Sequence, residues 1–294
     1  MRQLVVLSGK GGTGKTTVAA ALAHLAAQEG PIVIVDADVD APNLELLLQP
    51  EIIEDVPFFG GKKAHISAER CTACGRCEEV CRYAAVAQRD GTFYVDLTAC
   101  EGCASCFYQC PAQAIEMRER QSGDWFRSKT RFGPFLHARL IPGEENSGKL
   151  VSVLRQQALL EAHESETDWI IIDGAPGIGC PVIAAVTGAD LALLVSEPTV
   201  SGVHDLKRAI EICEHFRVPA SVCINKVDIN PSKAQEIAAY CAQHGIPVST
   251  RIPYDEVVVK AMRRGCAVTE WGESVVAEEI KLLWLALRDH VKAQ

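Results

Sequence analysis

The strongest constraint on this chain is a run of cysteines that occurs twice. Cys71, Cys74, Cys77 and Cys81 recur 29 residues later as Cys100, Cys103, Cys106 and Cys110, and Ala85-Val86 recurs as Ala114-Ile115. A segment so rich in cysteines and turn residues has little apolar side chain left for a core of its own. The chain holds 13 cysteines, an odd number, and its N-terminus runs straight into an apolar stretch and a glycine loop rather than a leader peptide. That combination disfavours a disulfide framework and favours metal ligation.

The doubled Cys-x₂-Cys-x₂-Cys-x₃-Cys spacing narrows the metal. Three closely spaced thiolates wrap one corner of an iron–sulfur cubane, and the fourth ligand comes from the other motif. Cluster one would use Cys71, Cys74, Cys77 and Cys110, and cluster two Cys100, Cys103, Cys106 and Cys81. Zinc sites, the alternative, usually pair two short knuckles rather than runs of four. Asp90-Gly91 between the two motifs reads as a hairpin turn. Of the other five cysteines, Cys213, Cys223 and Cys241 lie in apolar patterns and read as small buried hydrophobes. Cys266 carries no pattern of its own. Cys180 sits in Gly179-Cys180-Pro181, where one thiol is too few to share a cluster between subunits.

The rest of the chain alternates short apolar runs with helical periodicity. Leu4–Leu7, Ile32–Val35, Trp169–Ile172, Leu191–Val195 and Ser221–Ile224 read as parallel strands buried on both faces. The expected organisation is a core from 1–61 and 118–294, interrupted by a cysteine-rich insert at 62–117. Residues 118–149 form a basic connecting segment. Within it, residues 118–140 carry six Arg or Lys against Glu119 and Asp124, with Trp125, Phe126, Phe132 and Phe135 interleaved. That stretch reads as a solvated hairpin, or as a docking surface for the insert or a partner. At 294 residues and net charge −9, the chain can bury a sizeable core, and it lacks the basic face of a general nucleic-acid binder. No apolar run suits a membrane span. Val276, Ile280, Leu283, Leu287 and Val291 give the tail the pattern of a helix packed on the core.

A second motif carries the chemistry of the core. Gly9-Lys10-Gly11-Gly12-Thr13-Gly14-Lys15-Thr16 follows a predicted strand and precedes a helix starting near Thr16-Thr17, the context of a phosphate loop. Its glycines let backbone N–H groups converge on phosphates, and the helix N-terminus adds favourable partial charge. Lys15 should reach the β- and γ-phosphates, and the Thr16 hydroxyl should bind Mg²⁺. Asp173, at the end of an apolar run, suits the carboxylate that holds Mg²⁺ through water. Asp36, Asp38 and Asp40 follow another strand at the same edge. Asp38 is the candidate for positioning the attacking water; a plain loop cap is the alternative. Asn225-Lys226-Val227-Asp228 matches a pattern that reads guanine in GTPases.

With its early lysine, the loop Lys10 to Thr17 resembles that of the MinD/Mrp/ParA-type ATPases, to which the nitrogenase iron protein is related. Asp36-Ala37-Asp38, Asp173-Gly174-Ala175-Pro176-Gly177 and Ile252-Pro253-Tyr254-Asp255 fit the same family. The cysteine repeat resembles the bacterial two-[4Fe–4S] ferredoxins. The resemblance implies an α/β, mostly parallel-sheet P-loop NTPase core with an inserted α+β bacterial-ferredoxin-like domain. It further implies that an ATP-bound homodimer sandwiches two nucleotides, with Lys10 reaching the partner's phosphates. Asn225 would contact adenine, assisted by the loop of Pro253 and Asp255, and the early lysine favours ATP over GTP. The function expected is a cytoplasmic ATPase that couples hydrolysis to electron transfer, through two [4Fe–4S] clusters, to a redox or metallocluster partner protein. The alternative is an Mrp-type carrier or assembly ATPase for iron–sulfur or another metal cofactor. Neither nucleic acid nor membrane is an expected partner.

The repeat is broken at one telling point: Cys110 is followed by Pro111, but Cys81 by Arg82. A cation and its N–H donors beside cluster two stabilise the reduced, more negative state. Arg82→Pro should therefore lower the potential of cluster two in a redox titration, and an unchanged potential would refute the assignment.

Overall fold

A computed structural model describes residues 1–292 of the chain. In order, the elements are β1 (Arg2–Ser8), α1 (Lys15–Glu29), β2 (Ile32–Asp36), α2 (Glu45–Leu48), β3 (Glu51–Ile66), α3 (Arg76–Glu79), β4 (Val86–Arg89), β5 (Thr92–Val95), α4 (Ser105–Gln109), β6 (Ile115–Lys129) and β7 (Pro134–Leu140). There follow α5 (Ser147–Glu164), β8 (Trp169–Pro176), α6 (Cys180–Val186), β9 (Leu191–Ser196), α7 (Val200–His215), β10 (Ala220–Asn225), α8 (Pro231–Gln243), β11 (Val248–Ile252), α9 (Val257–Arg263), α10 (Val268–Trp271) and α11 (Val275–Lys292). They divide into a larger unit, Met1–Val56 with Trp125–Arg139 and Ser147 onward, and a smaller one, Pro57–Asp124 with Leu140–Asn146. The smaller unit is thus wider than the 62–117 read from cysteine density, because the strands β3 and β6 that lead into and out of it also contribute residues.

The five apolar runs become β1, β2, β8, β9 and β10 of one sheet, ordered β11-β10-β9-β1-β8-β2-β7-β6-β3. Neighbours from β11 through β7 pair in parallel. Every residue of β2 and of β9 is buried, as expected when helices cover both faces. Helix α1 is apolar almost all round because it lies between this sheet and α10 and α11. Val276, Ile280, Leu283, Leu287 and Val291 of α11 are buried in the same core, and Trp169 meets Trp284 edge to face at 5.1 Å. Among the described residues no helix is long and apolar enough to cross a membrane.

The basic segment is a hairpin, as its charges suggested, but much of it is buried in the sheet rather than solvated. Thr130 and Gly133 close a tight turn between β6 and β7 by exchanging backbone hydrogen bonds of 3.0 and 3.3 Å. β7 then enters the sheet in parallel with β2, placing Phe135 opposite Ile34 and Leu136 opposite Val35. Of the four aromatic residues that suggested docking, Phe126 and Phe135 are buried core, and Trp125 and Phe132 are half-buried. Several arginines are internal ties. Arg131 holds Glu270 through two bonds of 2.7 Å and the carbonyls of Leu47 and Leu48 at 2.8 and 2.9 Å. Arg139 grips Glu45, and Arg127 grips Glu161.

His137 on β7 is stacked between Phe126 and Phe135, with centroids 5.0 and 4.5 Å away. Ser128 Oγ lies 2.9 Å from its Nε2, whereas Nδ1 has no hydrogen-bond partner. Burial pushes its pKa down to about 4, more than the Glu45 charge can offset. The unfolded chain therefore takes up this proton first as pH falls. Stability from this residue is complete above about pH 6.5 and is lost towards pH 4, by about 3 kcal/mol. Denaturant titrations across that window should show the loss in the wild type and its absence in His137→Leu.

Candidate functional site

The parallel strands of the larger unit end along one edge of the sheet, and the chemistry collects there. The phosphate loop follows β1 and feeds α1 through Gly14, whose φ of +92° is a left-handed conformation that glycine adopts without strain. A Cβ at Gly14 would also collide with the Asn225 amide. A cavity of about 370 Å³ opens beside the loop. Gly11, Gly12, Thr13, Gly14, Lys15, Thr16 and Thr17 line its phosphate end together with Asp38, and Asn225, Pro253 and Asp255 line the other. Gly9 lies outside this lining, against Asp205.

Lys15 is the electrostatic centre. Its ammonium is buried and bonded to Asp173 Oδ1 at 2.6 Å. Burial works against that charge, but Asp173, Asp36 and Asp38 together outweigh it and hold the pKa above the ordinary lysine value. The register of β2 on β8 sets Asp36 opposite Asp173, so two carboxylates stand side by side on neighbouring strands. Burial, reinforced by the Asp173 charge, pushes Asp36 up to about 7. Burial likewise raises Asp38. One lysine among three carboxylates leaves a deficit of positive charge. Asp173 Oδ2 and Thr13 Oγ1 are both buried without partners. Those orphaned oxygens fit a divalent cation and a phosphate, the former within reach of Thr16 and Asp173.

Two features of the site were not legible as such. Asp36 is chiefly a scaffold: Oδ1 accepts from the Asp38 N–H at 3.0 Å, and Oδ2 from the Leu44 N–H at 3.1 Å. The base end is a largely apolar bed of Val258, Val259, Met262, Val276 and Ile280, of which helical periodicity assigned Val276 and Ile280 to core packing. The Asn-Lys-x-Asp motif acts here on the loop itself. Asn225 Nδ2 donates to the Thr13 carbonyl at 2.7 Å and Lys226 Nζ to the Gly12 carbonyl at 2.9 Å. Asp228 Oδ1 accepts the Tyr254 N–H at 2.7 Å. Asp255 Oδ1 accepts the Val257 N–H at the start of α9. Lys10 is absent from the cavity lining and pairs instead with Glu197 at 2.5 Å.

The smaller unit gathers the other candidates into two quartets. Cys71, Cys74, Cys77 and Cys110 line one cavity, with Ile66, Phe93 and Pro111. Cys81, Cys100, Cys103 and Cys106 line the other, with Tyr83, Val86 and Val95. The 29-residue repeat is also a repeat of backbone geometry. Ala73, Gly75 and Ala84 have positive φ, and so do their counterparts Gly102, Ala104 and Gln113. The Ala85 N–H points at Cys81 Sγ and the Ala114 N–H at Cys110 Sγ, each at 3.3 Å. Asp96 N–H donates to the Ala85 carbonyl at 2.7 Å, and Ser67 N–H to the Ala114 carbonyl at 2.8 Å, so the two halves exchange equivalent bonds. All 13 cysteines are free thiols. Among the described residues no three His, Cys, Asp or Glu side chains are placed to share a single metal ion. Each quartet surrounds a space instead, which is the donor arrangement a multi-iron cluster requires. Arg82 acts on the second quartet: with the larger influence of Ser105, it draws the Cys103 thiol below its ordinary pKa.

Residues 4–268 match the family model of the CobQ/CobB/MinD/ParA nucleotide-binding domain. An uncharacterised protein of Methanocaldococcus jannaschii is 32% identical over 289 residues, 98% of this chain and 97% of the relative. The iron–sulfur cluster carrier protein of Pyrococcus abyssi is 24% identical, over 94% of this chain and 82% of its own. Among solved structures, the septum site-determining protein MinD complexed with Mg-ADP from Pyrococcus horikoshii OT3 has the same fold, with a TM-score of 0.59. It is 17% identical, over 97% of this chain and 95% of that one.

Replacing Lys15 by Met removes the cation that faces the three carboxylates as well as the donor for phosphate. Affinity for Mg²⁺-ADP should fall by about 10- to 100-fold in calorimetric titration. Denaturant unfolding should show a loss of about 3–5 kcal/mol, the cost of leaving buried charge uncompensated.

Proposed function

The chain belongs to the CobQ/CobB/MinD/ParA nucleotide-binding family, and from that premise we propose an ATPase that handles iron–sulfur clusters. The phosphate-loop N–H groups and Lys15 bind the phosphates, while Thr16 and Asp173 hold Mg²⁺. Asp38, buried and with its pKa raised, orients and accepts a hydrogen bond from the attacking water. Lys10 of a second copy adds positive charge to the transferring phosphoryl group, so the ATP-bound form is a homodimer. Adenine lies on the apolar bed beside Asn225, Pro253 and Asp255. Asp228 Oδ1 accepts the Tyr254 N–H, and Asn225 and Lys226 hold loop carbonyls, so the motif braces the site, which supports ATP rather than a guanine-reading role.

The observation that carries the iron–sulfur part is the pair of quartets. Cys71, Cys74, Cys77 and Cys110 would hold one [4Fe–4S] cluster, and Cys100, Cys103, Cys106 and Cys81 the other. When bound, such clusters supply one-electron centres or transferable iron and sulfide. The likeness to an iron–sulfur cluster carrier along nearly the whole chain favours a carrier or assembly role. A second reading, ATP-gated electron transfer to a partner metalloprotein, is favoured by the quartets themselves. Each draws all four thiolates from one chain, with Cys77, Cys100 and Cys106 buried in the apolar core of the smaller unit and Cys74 and Cys103 exposed; a full ligand set within one chain suits retained clusters.

An anaerobic transfer assay separates the two. The reconstituted protein is incubated with a cluster-free acceptor protein, with and without Mg²⁺-ATP, and both chains are assayed for iron and by EPR. The expected result is ATP-stimulated movement of iron and sulfide to the acceptor. Full retention of iron with an ATP-dependent change in the EPR signals would establish electron transfer instead. Retention with no nucleotide effect would overturn both.

A further inference from the structure

We infer that Glu197 is the positioning residue for Lys10, holding that lysine within its own subunit and setting how readily a second copy of the chain can recruit it. This rests on the reading of Lys10 as a charge delivered in trans. Three side chains from the turn after β9 and the first turn of α7 take up the Lys10 ammonium: Glu197 Oε1 at 2.5 Å, Ser201 Oγ at 3.0 Å and Thr199 Oγ1 at 3.1 Å. An ammonium has three hydrogens, so its donor capacity is filled. The turn is preformed. Thr199 Oγ1 caps α7 by accepting the Gly202 N–H at 3.0 Å, and at Gly202 any Cβ would collide with the Glu197 carbonyl.

The second carboxylate oxygen gives Glu197 a reason to survive the departure of Lys10. Glu197 Oε2 accepts Lys226 Nζ at 3.2 Å, and the same Nζ donates to the Gly12 carbonyl of the phosphate loop at 2.9 Å. The Glu197 side chain is only 13% exposed, and a carboxylate left there alone would be costly. With Lys226 in place it keeps a counter-ion whether or not Lys10 is present. Glu197 therefore tolerates both states while favouring the one in which Lys10 stays at home. Each subunit must break these bonds before its Lys10 can serve the other, so the contact opposes assembly until nucleotide on both subunits offers a stronger anion.

The test is dimer affinity, measured by sedimentation of the full chain with a non-hydrolysable ATP analogue and Mg²⁺. Glu197→Gln keeps the shape of the side chain but removes its charge. It should tighten the dimer by about 10-fold, equivalent to about 1.4 kcal/mol. Ser201→Ala removes one of the three Lys10 bonds without touching Glu197 or Lys226, and should tighten it by about 3-fold. General damage to the fold would weaken assembly, so tightening is not what a merely structural role produces. A dimer no tighter than wild type in both variants overturns the inference. So does a large loss of ADP affinity in Glu197→Gln, which would make the residue a prop of the loop through Lys226. Lys10→Ala tests the underlying reading separately. If it dimerises like wild type, delivery of Lys10 in trans fails and the latch falls with it. If it abolishes the dimer while the other two change nothing, only the latch fails.

Discussion

The larger unit is organised around one buried ammonium. Lys15 can be charged in the interior only because carboxylates stand around it, and they stand there because strand register fixes them: Asp36 opposite Asp173, with Asp38 two residues beyond. The arrangement overshoots. Burial, reinforced by the neighbouring Asp173 charge, leaves Asp36 with a raised pKa, and Asp173 keeps an unpartnered oxygen. Such a surplus of negative charge costs stability in the empty protein and is relieved when a divalent cation brings a polyanion with it. The neighbouring loop supplies what that polyanion needs, in backbone N–H groups and a helix N-terminus. Nucleotide and Mg²⁺ thus complete a charge balance that the fold leaves open.

The smaller unit faces the opposite shortage. Its buried cluster consists of a few apolar residues among which Cys77, Cys100 and Cys106 are themselves core members, with Cys71, Cys81 and Cys110 packed at its margin and Cys74 and Cys103 exposed. A unit this short buries too little hydrocarbon to be robust without a staple. Two metal groups held by four thiolates each would act as that staple, making ligand binding and folding one event. The pseudo-symmetric backbone accounts for why the repeat is kept at 29 residues. The left-handed positions, the N–H bonds to Cys81 and Cys110, and the exchanged bonds at Ala85 and Ala114 all fall at equivalent places.

The elements legible in the sequence were those whose signal is local. Uniform apolar runs gave the parallel strands, glycine spacing gave the phosphate loop, and cysteine spacing gave the groups of thiols that line each cavity. The misreading of residues 118–140 shows the limit of this approach. Charge counted along the chain looked like a solvated surface, but Arg127, Arg131 and Arg139 are spent on Glu161, Glu270 and Glu45, partners from 34 to 139 residues away. Glu197 escaped notice for the same reason. It belongs to no motif, and it becomes functional only because β9 ends next to β1, where Lys10 begins the loop. Asp228 looked like a base reader and is occupied by a backbone N–H that only the fold brings to it.

Within the larger unit, hydrogen bonds run from the phosphate site to the bases of β3 and β6. Asp36 Oδ2 holds the Leu44 N–H at the entrance to α2. From α2, Glu45 takes Arg139 of β7, and the Leu47 and Leu48 carbonyls take Arg131 in the turn between β6 and β7. β3 follows α2 directly, and β3 and β6 are continuous strands that run out of the larger unit into the smaller. The charge state of Asp36 is therefore joined, by bonds at each step, to the bases of both strands. Burial, reinforced by the Asp173 charge, pushes Asp36 up to about 7, so a cation bound beside it would favour its ionised form and strengthen the acceptor that holds the Leu44 N–H.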